Sequence, residues 1–335
     1  MKCPHIYPIF LMLVFYISCK GQNKINETKH NIKSETKDTV TSYGPPGQVR
    51  NIKNGNNGVI LIASWQGIFR YDGKSFTNLT SKIGPHRFWD VLEDRRGNLW
   101  IASNTSGVYY YDGKSFQHFT TNEGLVHDRV MSIHEDKTGI IWFGTMGGLS
   151  RYDGKSFRNF TSKEGLPNSN IFTITDDKTG KLWIGTSGEA FVYDGKAFTT
   201  LTNKGKAFNN VWSIIEDKKG NIWLGADGLW RYDGTTFTKV SQRGVYAIIE
   251  DKKGNIWTTG VVNPNGLGAW ALSRYDVKSL NNKKPAVTEI SSGEAGAFLA
   301  IREANDGSIW FGASDGVYRY DGKNIMDFKS KDGQQ

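Results

Sequence analysis

Cysteine is almost missing from this chain: its 335 residues hold only Cys3 and Cys19. An exported body of this size cannot then be stapled by disulfides and must close by packing alone. Also absent are a cysteine nucleophile in the body, a serine-centred elbow and a glycine-rich phosphate loop. Histidine is scarce, at six residues. No segment of the body carries the 3.6-residue apolar period of a helix. Long apolar runs are lacking too. Ile6 to Ile17 is the longest, broken by Pro8, and it is too short to span a bilayer as a helix. After Lys2 it reads as the h-region of a secretory signal.

That run ends in Tyr16-Ile17-Ser18-Cys19, a small residue before a cysteine. It resembles a bacterial lipoprotein signal, which implies cleavage after residue 18 and lipidation of Cys19. The segment from Lys20 to about Thr41 is polar, rich in Lys, Asn, Glu and Thr, and reads as a tether. Its reach is at most on the order of 80 Å. The expected organisation is a signal over 1–18, a flexible tether over 19–44 and a folded body over 45–330. The expected location is the bacterial cell envelope, anchored through Cys19, at the outer membrane on its periplasmic or surface side.

The body is ruled by repetition. Tyr-Asp-Gly-Lys-Ser-Phe occurs at Tyr71–Phe76, Tyr111–Phe116 and Tyr152–Phe157, with looser copies from Tyr193, Tyr232, Tyr275 and Tyr320. A period of about 40 residues marks stacked supersecondary units. Within one period, Val211–Glu216, Ile222–Gly225, Gly228–Tyr232 and Thr236–Val240 read as four short strands. Asp217 to Asn221 and Asp233-Gly234 read as turns, the latter suited to type I′. Four strands per period describe a propeller blade. The predicted fold is all-β, a seven-bladed β-propeller with four antiparallel strands per blade. Inner strands are expected near Val49, Phe88, Val130, Ile171, Val211, Val245 and Phe298, with Thr39–Tyr43 as a weak extra edge strand.

Tryptophan recurs on the second strand at Trp100, Trp142, Trp183, Trp223, Trp257 and Trp310, with Leu61 in the first repeat. One ring at one blade position predicts packing against the neighbouring blade. The formal charge is +9, or +8 without Lys2. Lysines such as Lys74, Lys114, Lys218, Lys219, Lys252 and Lys253 stand beside aspartates in the repeated turns, and they read as solvated tips. Nucleic acid is not an expected partner.

The best copy runs Val130-Met131-Ser132-Ile133-His134-Glu135-Asp136, then Ile141-Trp142-Phe143-Gly144-Thr145, then Gly147-Gly148-Leu149-Ser150-Arg151-Tyr152-Asp153. It resembles the two-component regulator propeller repeat, as do Asn122-Glu123-Gly124-Leu125 and Lys163-Glu164-Gly165-Leu166-Pro167. The resemblance implies a periplasmic ligand-binding propeller, often for glycans and fused to a histidine kinase. No kinase, linking β-sandwich or second propeller is seen within these residues. The expectation is therefore a sensor-like propeller without a kinase. A more distant resemblance is to virginiamycin B lyase-type propellers, whose metal-assisted His and Glu sit in the funnel. Here the matching strands read Trp142-Phe143-Gly144-Thr145 and Trp183-Ile184-Gly185-Thr186, without that Glu.

A site needs asymmetry, and the connections before the first strands and between the second and third strands vary most. They supply the candidate ligand-binding residues Trp65, His86, Arg87, Trp89, His127, Arg129, Asn170, Trp212, Arg243 and Trp270. Aromatics beside Arg and Asn suit a sugar or acidic sugar. Trp89 and Trp212 share a register with Met131 and Phe172, which suits packing instead. Blade six carries an insertion, Val261 to Trp270, with Trp270 as an expected lip over the funnel. His86 and His127, with Asp128, are the one pairing that could approach a metal.

The expected partner is a carbohydrate or other small ligand, or an envelope protein, bound by a monomer with no cofactor. A metal-dependent lyase and a structural envelope module are the alternatives, and enzyme activity is the less favoured reading.

Overall fold

The computed structural model describes residues 38–84, 86–166, 170–263, 268–282, 284–293 and 296–330. The signal segment and Cys19 lie outside the described residues. No helix among the described residues is long and apolar enough to cross a membrane.

Seven antiparallel sheets follow one another in chain order, each a four-stranded meander with its first strand innermost. The inner strands are Val49–Asn54, Phe88–Glu93, Val130–Glu135, Ile171–Asp176, Ser213–Glu216, Ala247–Glu250 and Phe298–Glu303. Each contacts the next, and the seventh contacts the first, so the ring closes. The seven-bladed all-β architecture read from the repeats is the one found.

The core is not one mass but seven wedges, each cluster shared by two consecutive blades. Trp100 of blade two, for instance, packs with Val130, Ile133 and Phe143 of blade three. Trp142 packs with Ile174, Ile184 and Tyr193 of blade four. The repeated tryptophans are therefore inter-blade rings, as their register implied. Five of the six also have a polar tether; blade seven has Ala304 at the aspartate position. The Nε1–H of Trp100, Trp142, Trp183, Trp223 and Trp257 donates to the carboxylate of Asp94, Asp136, Asp177, Asp217 and Asp251, at 2.8–3.1 Å. The other oxygen of each carboxylate accepts backbone N–H groups from its own turn; for Asp217 these are Lys219 and Asn221. One aspartate thus shapes the turn and fixes the ring that seals the next seam.

The repeated Gly after the Trp has its own reason. A Cβ at Gly312 would lie 2.4 Å from Val49 across the closing seam, and one at Gly144 would lie 2.6 Å from Ile171. Only a bare backbone lets the next inner strand approach so closely.

Three expectations need correction. The Tyr-Asp-Gly turns are not type I′, because among the described residues only Asn57, Lys204 and Asn210 join the glycines at positive φ. Instead Asp72 Oδ1 accepts the N–H groups of Lys74 and Ser75, so only Gly73 need turn left-handed. Next, Lys218 and Lys252 are not free tips. Lys218 Nζ donates to the carbonyls of Asp251 and Lys252 in the next blade, and Lys252 Nζ donates to that of Asn305. Finally, the extra edge strand expected at Thr39–Tyr43 forms, and it carries the folded body ahead of residue 45. Thr39–Thr41 adds a fifth strand to blade one, pairing with Phe76–Asn78, and Gly44 N–H donates to Phe328 O at 2.7 Å. That strap joins the first and last blades of the propeller. Phe328 stacks on Trp310 at 5.0 Å and meets Phe76 at 5.1 Å, binding blade seven to blade one.

Candidate functional site

Each inner strand, taken with the two residues before it in blades five and six, repeats one six-residue register. Its first and fourth residues, such as Val130 and Ile133, are buried in the seams. Its sixth, Glu or Asp in blades two to seven, accepts a backbone N–H from the preceding blade's turn; Glu250 takes that of Lys218 at 2.8 Å. The second residue turns into the central channel. A bulge at that residue in blades one to four and seven, between Val130 and Ser132 in blade three for example, frees it from the ladder.

The second residues therefore make a collar where the channel opens to the variable face: Arg50, Trp89, Met131, Phe172, Trp212, Tyr246 and Leu299. Phe172 and Trp212 lie parallel at 3.8 Å, and Trp212 and Tyr246 stack at 4.4 Å. Trp270 continues the arc 5.0 Å from Tyr246. On the other side of the collar the Arg50 guanidinium lies 3.7 Å over the ring of Trp89. Burial pulls that guanidinium down to about 10. Its Nε is buried without a hydrogen-bond partner. Further in, Lys53 and the buried Asp90 form an ion pair at 2.9 Å, and Asp90 also accepts from Asn51 and from the N–H of Ile133. That pair joins blades one, two and three. The channel holds about 420 Å³.

Beside the collar a second cavity of about 580 Å³ opens between blades four, five and six. A short hairpin, Thr202–Asn203 with Lys206–Ala207, leads into Phe208–Asn210 and forms one wall. Phe208 is fixed by its N–H to Leu201 O at 3.0 Å and by its carbonyl accepting from Ala190 N–H. The other walls are Trp212, Trp230, Tyr246 and Trp270, with Lys206, Asn209, Asn210 and Asp227 as polar groups. Trp230 is held by its Nε1–H to Asp227 at 3.0 Å, and Lys239 reaches the other oxygen of Asp227. Burial would raise the Asp227 carboxyl, but these two donors outweigh it and hold it below the usual range. An aromatic trough with polar groups at its rim suits a small ligand that has a flat apolar face and several hydroxyls. Residues 264–267 of the blade-six insertion lie outside the described residues.

The predicted residues fall into two groups. Trp212 and Trp270 come together in the trough, and Trp89 joins the collar. The packing reading of Trp89 and Trp212 holds as well, since they stack on collar neighbours. The remaining seven are engaged elsewhere. Arg87 lies over Trp65 at 4.4 Å, and Asn170 and Ser187 bond one another. Arg129 donates to Asn104 O and lies against Met146 Sδ. Arg243 pairs with Glu289 at 2.7 Å, on the outer strand of blade six. His86 meets Ser106 through Nδ1 and Tyr109 through Nε2, while His127 Nδ1 accepts the Arg129 N–H. Those bonds give both histidines structural roles.

Sequence reasoning passed over Arg50, Phe208, Trp230 and Tyr246. Two of them had a signal: aligned on Val130-Met131 and Val211-Trp212, Val49-Arg50 and Val245-Tyr246 fall at the same collar position.

The family model described as Two component regulator propeller matches residues 82–105, 124–147, 165–188 and 205–228. Each match covers the approach to one inner strand and the hairpin after it, in blades two to five. No curated protein matches the chain. Among solved structures it is similar to a streptogramin B lyase, at 15% identity and TM-score 0.65 over 88% of this chain and 98% of that one. It is similar also to virginiamycin B lyase from Staphylococcus aureus with quinupristin, at 16% and 0.64 over 84% and 99%. The extracellular domain of a B. thetaiotaomicron protein described as a hybrid two component system gives 15% and 0.48, over 88% of this chain and 55% of that one. At such identities the likeness is one of fold. The chain is a seven-bladed propeller, and four of its segments, in blades two to five, match the two component regulator propeller repeat.

Proposed function

We propose that this protein is a sensor-like, ligand-binding propeller of the bacterial envelope, and that its trough takes a carbohydrate or a similar small molecule. One observation carries the reading: Trp212, Tyr246 and Trp270 form a continuous aromatic arc along a cavity of about 580 Å³. Such rings stack on the apolar face of a sugar, while Asn209, Asn210, Asp227 and Lys206 meet its hydroxyls. The five tryptophan–aspartate tethers are spent on holding blades together, whereas this arc stands at a cavity. The signal-like N-terminus and Cys19 support export and a lipid anchor at the outer membrane, with the propeller working as a monomer.

The test is a glycan array followed by calorimetry on residues 38–335. The expected result is saturable binding that weakens about tenfold or more in Trp212→Ala and Trp270→Ala. If no glycan binds and the double variant captures the same envelope partners as the wild type, the reading fails.

A further inference from the structure

We propose that the collar beside the trough is an oxyanion subsite built on Arg50, so that the ligand bears a carboxylate, sulfate or phosphate group. This rests on the trough reading and adds a charge requirement to it. Six of the seven collar positions are apolar or aromatic, and Arg50 is the one cation among them. Its planar group is held by the Trp89 ring at 3.7 Å, and Trp89 is fixed in turn by its Nε1–H to Asn104 at 2.7 Å. Among the described residues no carboxylate pairs with Arg50. Its Nε is buried and without a partner.

Three residues further along the same strand, Lys53 shows how this fold treats a cation that serves structure: Asp90 sits against it at 2.9 Å. Packing alone would favour an apolar residue at position 50, as at the other collar positions, because burying an uncompensated charge is unfavourable. A guanidinium fork fixed by stacking is what bidentate capture of an oxyanion needs. Trp212 and Tyr246 line both the channel that Arg50 enters and the trough. A ligand lying on these two rings can extend an acidic end from the trough toward Arg50.

The experiment titrates sulfate, phosphate and acetate separately, at constant ionic strength against chloride, into residues 38–335. Tryptophan fluorescence and melting temperature are read for the wild type and for Arg50→Gln, Arg50→Met and Arg302→Gln. Arg302 lines the same channel and controls for a general positive field. The wild type should respond saturably to at least one oxyanion, and the three arms rank sulfate, phosphate and carboxylate. Both Arg50 variants should weaken that response about tenfold or more, and Arg302→Gln should keep it. Free of anions, Arg50→Met should melt at or above the wild-type temperature. A wild type with no saturable response, or Arg50 variants that respond like it, overturns the inference. So does an Arg50→Met protein that melts lower and responds unchanged, since Arg50 would then be packing. Oxyanion binding that needs Arg50, with no glycan found, would retire the trough reading alone. Neutral glycans bound equally by wild type and Arg50→Gln, with no oxyanion response, would retire the anion subsite alone.

Discussion

Trp223 donates its indole N–H to Asp217 at 2.9 Å while its ring is fully buried at the seam between blades five and six. The same carboxylate accepts the N–H groups of Lys219 and Asn221 and the side-chain amide of Asn221. Local turn and inter-blade seam are therefore one unit, repeated in five blades.

Removing the two partners should differ in effect. Asp217→Ala orphans buried donors on both turn and ring, each worth about 1–3 kcal/mol. Trp223→Phe keeps most of the packing and leaves the carboxylate with its other donors. Urea unfolding should rank Asp217→Ala as the less stable. Equal stabilities would mean that the tether adds nothing to packing.

Phe328 packs into the closing seam between blades seven and one. It lies against Trp310, Tyr71 and Phe76, and its carbonyl takes the Gly44 N–H. Phe328→Ala should destabilise the protein by about 2 kcal/mol or more, at the low end for a ring that is only partly buried. Deleting residues 38–41 should matter less, because Val40 is 60% exposed and the strand only edges blade one. Calorimetric melting of the two variants checks the order.

The lysines of the turns separate by position. Lys218→Ala removes two bonds to the next blade and should lower stability by about 1 kcal/mol. Its neighbour Lys219 makes no such bond, and Lys219→Ala should change stability by less than about 0.5 kcal/mol. Matching melting curves for the two would rule out an inter-blade role for Lys218.

Acid should loosen the blades together. For Asp136, Asp177, Asp217 and Asp251 burial works to raise the carboxyl, but the indole, amide and hydroxyl donors around each outweigh it and hold it below its ordinary value. A carboxyl depressed in the folded state stabilises it above the unfolded value near 4, and that stabilisation is lost as pH falls through the folded value. Melting temperature should hold from pH 7 to about 5 and then drop, less steeply in Asp217→Asn. A profile that is flat to pH 3 would exclude this linkage.

Arg243→Ala should leave ligand affinity unchanged while lowering stability, because its Nη2 pairs with Glu289 and it does not line the trough. Trp270→Ala should do the reverse. Calorimetry with whichever glycan the array finds, alongside thermal melts, reads both.

Period, strand count and Trp seams were set by the sequence alone, since they follow from local chemistry repeated every 40 residues or so; the close approach at the following glycines became visible only in the closed ring. The sequence also located the variable face, because departures from a repeat are visible once its register is known. Trp212 and Trp270, which line the trough, stand among those departures. Whether Arg87, Arg129, Arg243 and Arg50 point at a ligand or at a neighbour was not legible. All four are arginines near variable connections, and sequence assigns them the same potential. Only the closed ring distinguishes them, because the carbonyl, the carboxylate and the ring that occupy the first three come from residues 22 to 46 positions away in the chain. The same closure turned Lys218 and Lys252 from solvated tips into clasps, since the carbonyls they take lie in the following blade. Contacts within a blade are set by spacing along the chain; contacts between blades are set by how many blades close the circle, and the site lies where blades meet.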